Sequence, residues 1–259
     1  MQLDFYKYQG TGNDFILLDN RHHNIQLTKA EIASLCHRRF GIGADGLMLL
    51  NLREGYDFEM KYYNADGAEG SMCGNGGRCL TQFAQDMGIQ LTNYSFIASD
   101  GPHEAIIPKK GWVKLKMRNV SNIQSVDGAQ ILNTGSPHYV KAVNGLANFN
   151  VYQEGHAIRY NEVYKAEGIN VNFVEWQNNG QLMVRTYERG VEDETYSCGT
   201  GVTAAAIAMN NVALGQHKVS IITKGGELAV EYEKVGVQQF EQIWLCGPAT
   251  FVFKGSIII

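Results

Sequence analysis

Hydrophobic positions along the chain switch repeatedly between the alternation of strands and the three-to-four spacing of helices. LDFYKY (3–8) and FILLDN (15–20) read as strands flanking the turn Gly10-Thr11-Gly12-Asn13-Asp14. Thr28 and Glu31 form a capping box, and the helix it opens carries Ile32, Leu35, Cys36 and Phe40 on one face. The run Gly41-Ile42-Gly43-Ala44-Asp45-Gly46 stops that helix, and LMLL and DFEMKYY follow as strands. After a loop from Asn64 to Met72, a helix begins near Cys73 and ends at Gly88, a natural C′ glycine. Further strands continue to about Arg118.

The second half repeats this order. Thr134-Gly135-Ser136-Pro137-His138-Tyr139-Val140 stands where Thr11-Gly12-Asn13-Asp14-Phe15-Ile16-Leu17 stood. GINVNFVEW (168–176) matches GIGADGLMLL, and the segment 181–201 matches 58–76. Cys73 and Cys198 are each followed by Gly-Xaa-Gly and then a helix. A repeat this long reads as a duplicated domain. The expected fold is α+β: two duplicated domains, each a mixed barrel-like sheet around a central helix, with the active site in the interdomain cleft. Residues 1–119 form the first domain and 120–259 the second, the polar stretch from Asn119 to Gly128 marking the boundary. A return of the last strand, about 250–259, to the first domain is left open. The helix after Cys198 is apolar nearly all round (Val202, Ala204 to Ala206, Ile207), as a central buried helix must be.

Composition narrows the function. With 259 residues and a formal net charge of -4, the chain has no basic surplus for nucleic acid. Nowhere do about 18 apolar residues run together, so no membrane partner is expected. The start, MQLDFYKYQG, lacks the features of a signal peptide. Five cysteines, an odd number, argue for reduced thiols and a cytoplasmic setting.

Cys73 and Cys198 sit at predicted helix starts, where unpaired N–H groups and the macrodipole favour thiolate. Cys36, Cys79 and Cys246 read as packing residues. No CxxC or HxxxH spacing suggests a metal, and no complete phosphate-binding loop is present. One such cysteine would suggest a nucleophile; two, related by duplication, suggest a pair of acid/base groups. A hydrolase or acyl transferase using Cys198 with His138, or a non-catalytic amino-acid-binding protein, remains as an alternative. Asn13, Asn64, Asp45 and Asp66 also fit turn positions, and Arg189 also fits a surface ion pair with Glu188 or Glu192.

NADGAEGSMCGNGGRC (64–79) and YERGVEDETYSCGTGVTAAA (187–206) resemble the two signature blocks of the diaminopimelate epimerase family. GTGNDFILLD (10–19) and GSPHYV (135–140) fit the same family, and the resemblance spans essentially the whole chain. It implies interconversion of LL- and meso-2,6-diaminopimelate, a small-molecule substrate, without pyridoxal phosphate or any other cofactor. It implies Cys73 and Cys198 as the catalytic pair. Substrate contacts are implied at Asn13, Asn64, Gly74, Asn75, Asn170, Glu188, Arg189, Gly199 and Thr200, with Arg189 on the distal carboxylate. His138, Glu188 and Ser136 are implied as supporting or pKa-tuning groups. A homodimer is compatible with the resemblance. Proline and hydroxyproline racemases, which also use a cysteine pair, are the alternative. Ser136 stands where many members have asparagine, and Gly46 where some have glutamine, so distal-end recognition is expected to differ in detail.

Overall fold

A computed structural model describes residues 2–209 and 212–259. The chain divides into two compact units, one ending at Leu115 and completed by Gly247–Ile259, the other spanning Lys116–Cys246.

The first unit runs β1 (Gln2–Gly10), β2 (Asn13–Asp19), α1 (Lys29–Cys36), β3 (Gly46–Asn51), β4 (Phe58–Asn64), α2 (Gly74–Asp86), β5 (Asn93–Ala98), β6 (Gly101–Lys109) and β7 (Trp112–Lys116). The C-terminal strand, Thr250–Ile258, pairs antiparallel with β1. From β1 the sheet continues through β2, β3, β4, β5, β6 and β7, and the β2–β3 and β4–β5 pairs are parallel. β2 and β3 are covered on both faces, which is why they read as unbroken apolar runs. Ile16, Leu18, Leu47 and Leu49 pack with Ile32, Leu35 and Cys36 of α1. The alternate residues Phe15, Leu17, Met48 and Leu50 are equally buried on the other face, and α2 packs against both strands.

The second unit repeats that topology in β8 (Gln124–Val126), β9 (Ala129–Asn133), β10 (Pro137–Ala142), α3 (Val151–Arg159), β11 (Asn170–Trp176), β12 (Leu182–Glu188), β13 (Asp193–Thr195), α4 (Gly199–Ala208), β14 (Gly215–Thr223), β15 (Gly226–Gly236) and β16 (Gln239–Pro248). The β10–β11 and β12–β14 pairs are parallel and the others antiparallel, as in the first unit. Registers match as well: Phe15 pairs with Gly46, and His138 with Asn170. Likewise Met48 pairs with Tyr62, and Asn172 with Thr186.

The Thr28 capping box forms as expected, with Glu31 N–H donating to Thr28 Oγ1 and Thr28 N–H to Glu31 Oε2. The expected apolar face of α1 is one residue too long, because Phe40 is 86 % exposed. Its helix stops at Cys36, and His37 Nδ1 accepts from the Arg39 and Phe40 N–H groups in the turn that follows. Gly88 has φ 97° after α2, in keeping with its reading as C′.

The pattern gives no sign of α3. Gly155 lies at its centre, a poor helix residue, yet an added Cβ there would come within 2.4 Å of Tyr187 Cβ. Close packing of α3 on β12 therefore requires the glycine. Gly155→Ala is expected to destabilise the protein by about 1–3 kcal/mol through overpacking, despite alanine's higher helix propensity; chemical denaturation measures the change. Among the described residues, no helix is long and apolar enough to cross a membrane.

Candidate active site

Each unit presents a cysteine at the N-cap of its buried helix. Cys73 has φ -99° and ψ 130°, Cys198 φ -112° and ψ 113°, and neither side chain caps its own helix. The first intrahelical bonds are Gly77 N–H to Cys73 O at 2.7 Å and Val202 N–H to Cys198 O at 2.8 Å. The earlier N–H groups in each first turn have no intrahelical acceptor and favour a carboxylate or thiolate at the helix end. The glycine three residues after each cysteine has a packing reason. A Cβ on Gly76 would lie 2.6 Å from Met48 Cε, and one on Gly201 2.3 Å from Asn172 Oδ1.

Cys73 is half-buried. Its Sγ lies 3.7 Å from Asn13 Oδ1, which also accepts from Asn75 Nδ2 at 3.4 Å. Asn13 Nδ2 donates to Asp45 Oδ2 at 2.6 Å, so the Asp45 carboxylate fixes which end of the amide faces the cysteine. Asp45 thus does more than the turn formation expected of it, whereas Asp66 accepts from Ala68 N–H in a local turn. Behind Asp45, Arg38 grips Asp14 through both terminal nitrogens and reaches Asp45 Oδ1 at 2.6 Å. The buried Lys7 ammonium lies 2.7 Å from Asp14 and also donates to the Gly43 carbonyl. Burial raises the Asp14 pKa, but hydrogen bonds and charges from Arg38 and Lys7 outweigh it and hold the carboxyl at about 2. Arg78, fully buried on α2, donates to Asn75 Oδ1 and Thr11 Oγ1.

Cys198 is buried, and its Sγ lies 3.5 Å from Thr200 Oγ1. Thr200 Oγ1 is 3.3 Å from Ser136 Oγ, which is 3.0 Å from His138 Nε2. Asn172 Nδ2 donates to the Tyr139 carbonyl and to His138 Nδ1, while Thr186 Oγ1 donates to Asn172 Oδ1. Asn170 Nδ2 reaches Ser136 Oγ and the Pro137 carbonyl, and its Oδ1 accepts from Arg189 N–H. Burial foremost, with the Arg189 charge, pushes His138 down to about 3, so the imidazole is neutral at pH 7.

A histidine held below its unfolded value of ~6.5 contributes stability that is complete above that pH. The contribution is lost as pH falls toward about 3. Between about pH 6.5 and pH 5, the unfolding free energy should fall with a slope approaching about 1.4 kcal/mol per pH unit. His138→Asn should lack that slope in urea titrations.

Asn64 is exposed at the end of β4. Glu188 accepts from Thr195 Oγ1 at 2.8 Å. Arg189 is exposed and donates to the Glu167 carbonyl; Glu192 pairs instead with Arg159 at 3.3 Å. Burial raises Cys36 to about 11 and Cys79 to about 12, consistent with packing roles. Gly46 owes its identity to Tyr62: an added Cβ would sit 2.5 Å from the Tyr62 ring and 3.0 Å from its hydroxyl.

Sequence reasoning missed Asn172, Thr186 and Tyr62. A signal exists when the halves are superposed by register. Phe15, Met48 and Tyr62 of the first unit correspond to His138, Asn172 and Thr186 of the second. All three positions of the second copy are buried and polar, whereas Phe15 and Met48 of the first are buried and apolar and Tyr62 is half-buried.

Duplicated α+β units of this kind define a fold class shared by several solved proteins. A Bacillus anthracis phenazine biosynthesis protein of the PhzF family matches all of this chain and all of its own, with TM-score 0.77 at 13% identity. A probable proline racemase from Agrobacterium radiobacter K84 matches 99% of this chain and 93% of its own, with TM-score 0.69 at 14% identity. At these identities they share the fold. The family model for diaminopimelate epimerase matches residues 5–122 and again 130–252. A diaminopimelate epimerase of Flavobacterium psychrophilum is 48% identical over 257 residues, covering 98% of this chain and 100% of the relative. The chain belongs to the diaminopimelate epimerase family.

Proposed function

We propose that Cys73 and Cys198 are the two proton-transfer groups of an isomerase that interconverts LL- and meso-2,6-diaminopimelate, in the synthesis of lysine and peptidoglycan precursors. One observation carries the reading: the same residue occupies the same helix N-cap in both copies of a duplicated fold. Inversion by proton transfer needs one base on each face of the α-carbon. A thiolate takes the α-proton while the opposite thiol delivers its own, and the roles exchange in the reverse direction.

The α-proton is weakly acidic, so charge developing on the α-carboxylate must be stabilised. First-turn N–H groups at Gly74, Asn75, Gly199 and Thr200 suit this task, each such donor being worth about 3–4 kcal/mol in a dry site. Asn13, Asn64, Asn170 and Glu188 are the polar contacts, and the exposed Arg189 guanidinium suits the distal carboxylate. The chemistry needs no cofactor, because both protons move between carbon and sulfur.

The hydrolase alternative draws no support from His138, whose two ring nitrogens are engaged by Ser136 and Asn172. Five free thiols support a reducing, cytoplasmic setting. Exposed Phe251, Val252, Phe253 and Ile258 on the C-terminal strand support a homodimer. Incubation with LL-diaminopimelate in D₂O without cofactor should yield the meso isomer carrying deuterium at the inverted α-carbon. Exchange of proline or 4-hydroxyproline, with diaminopimelate untouched, would move the enzyme to the racemases.

A further inference from the structure

The two cysteines share a helix position but face opposite hydrogen-bond partners, and the direction of each partner's bonds can be worked out. In the second unit, the Tyr139 carbonyl can only accept, so it fixes Asn172 Nδ2 as the nitrogen. That nitrogen also donates to His138 Nδ1 at 3.1 Å, which must then be the unprotonated ring nitrogen. The neutral imidazole carries its proton on Nε2 and donates it to Ser136 Oγ. Asn170 is fixed in the same manner: its Oδ1 accepts from Arg189 N–H, so its nitrogen donates to Ser136. With both lone pairs of Ser136 Oγ engaged, its own hydrogen points to Thr200 Oγ1. The Thr200 hydroxyl is left to donate to Cys198 Sγ.

In the first unit the direction reverses. Asp45 accepts from Asn13 Nδ2, so Asn13 presents its carbonyl oxygen to Cys73 Sγ. A carbonyl oxygen can only accept, and the sulfur must be the donor.

We propose that the hydrogen-bonded chain Thr186–Asn172–His138–Ser136–Thr200 makes Cys198 the thiolate of the resting enzyme, while Asn13 keeps the proton on Cys73. The inference rests on the reading of these cysteines as acid and base. Thr186, Asn172, His138 and Ser136 are then positioning residues that act on the sulfur through Thr200. The duplication supports this. The positions of buried Phe15 and Met48 and half-buried Tyr62 in one copy hold buried His138, Asn172 and Thr186 in the other. Buried polar groups are costly unless satisfied, and these are at most 3 % exposed and bonded to one another.

Charged groups near each cysteine have partners of their own. Near Cys198, His138 is neutral, Glu188 accepts from Thr195, and Arg189 donates to the Glu167 carbonyl. Near Cys73, Lys7 and Arg38 are engaged by Asp14 and Asp45, Arg78 by Asn75 and Thr11, and the Cys79 thiol is deeply buried.

The test follows ionisation site by site in substrate-free enzyme. Brief iodoacetamide pulses from about pH 5 to about pH 10, read by peptide mass spectrometry, give a midpoint for each cysteine independent of its accessibility. Cys198 should titrate about one pH unit or more below Cys73, the scale of a charge-assisted hydrogen bond. Thr200→Val should raise the Cys198 midpoint and leave that of Cys73 in place, and Thr200→Ser should restore it. Ser136→Ala should shift it the same way by less, and serves if the valine variant does not fold. Equal midpoints, the reverse order, or a Cys198 midpoint unmoved by breaking the chain would overturn the proposal. Because the measurement needs no turnover, such a result would leave the acid/base assignment to be judged by activity.

Discussion

Replacing either Cys73 or Cys198 by alanine should lower the rate of epimerisation by about 10²–10⁴-fold or more, the usual contribution of a positioned acid or base. The double variant should be little worse than either single one, because two groups acting in one inversion lose their value together. Near-ultraviolet circular dichroism should be unchanged, since both residues are N-caps whose side chains make no capping bond. By contrast, replacing Cys36, Cys79 or Cys246 removes a buried packing group and should act on stability rather than on turnover. Steady-state assays in both directions measure the first effect and thermal denaturation the second.

Asp14→Ala should produce the largest loss of stability among substitutions near Cys73. It strips the carboxylate from Lys7, whose side chain is 7% exposed, and from one face of Arg38. Removing one partner of a buried pair costs about 3–5 kcal/mol, and a chain of this size should show a drop of roughly 6–20 °C in melting temperature. Asp45 N–H keeps its bond to the Asp14 carbonyl, but Arg38, which also holds Asp45 Oδ1, loses its Asp14 anchor, so the Asn13 carbonyl facing Cys73 loosens and activity should fall with stability. The wild-type pair has a defined pH window. Asp14 titrates at about 2 in the folded chain, below the unfolded ~3.9. Its contribution is therefore complete above that value and lost as pH falls toward 2. Calorimetry on wild type and Asp14→Asn across that window checks the sign.

The duplicated order of elements was legible in the chain because local signals repeat: a Gly-rich turn, two apolar strands, a loop and a cysteine before glycines. The α1 capping box and the C′ role of Gly88 could be read from local chemistry alone. α3 was hidden because Gly155 answers to the Tyr187 ring across the unit rather than to helix propensity. Phe40 fits the helical spacing yet lies outside the helix, because spacing says nothing about where His37 ends the turn. Asn172 and Thr186 looked like ordinary strand residues; their role depends on neighbours supplied by β10 and α4, far away in sequence. Asp45 reads in sequence as a turn former because its partners, Asn13 and Arg38, meet it only through tertiary packing.

The central claim, one thiol for each face of one α-carbon, is tested most directly by exchange without inversion. With Cys198→Ala and Cys73→Ala variants in D₂O, each remaining thiol should wash deuterium into one stereoisomer of diaminopimelate, with retention. The two variants should act on opposite configurations at the α-carbon. Inversion at the wild-type rate by either variant, or exchange of the same stereoisomer by both, would contradict the two-thiol account.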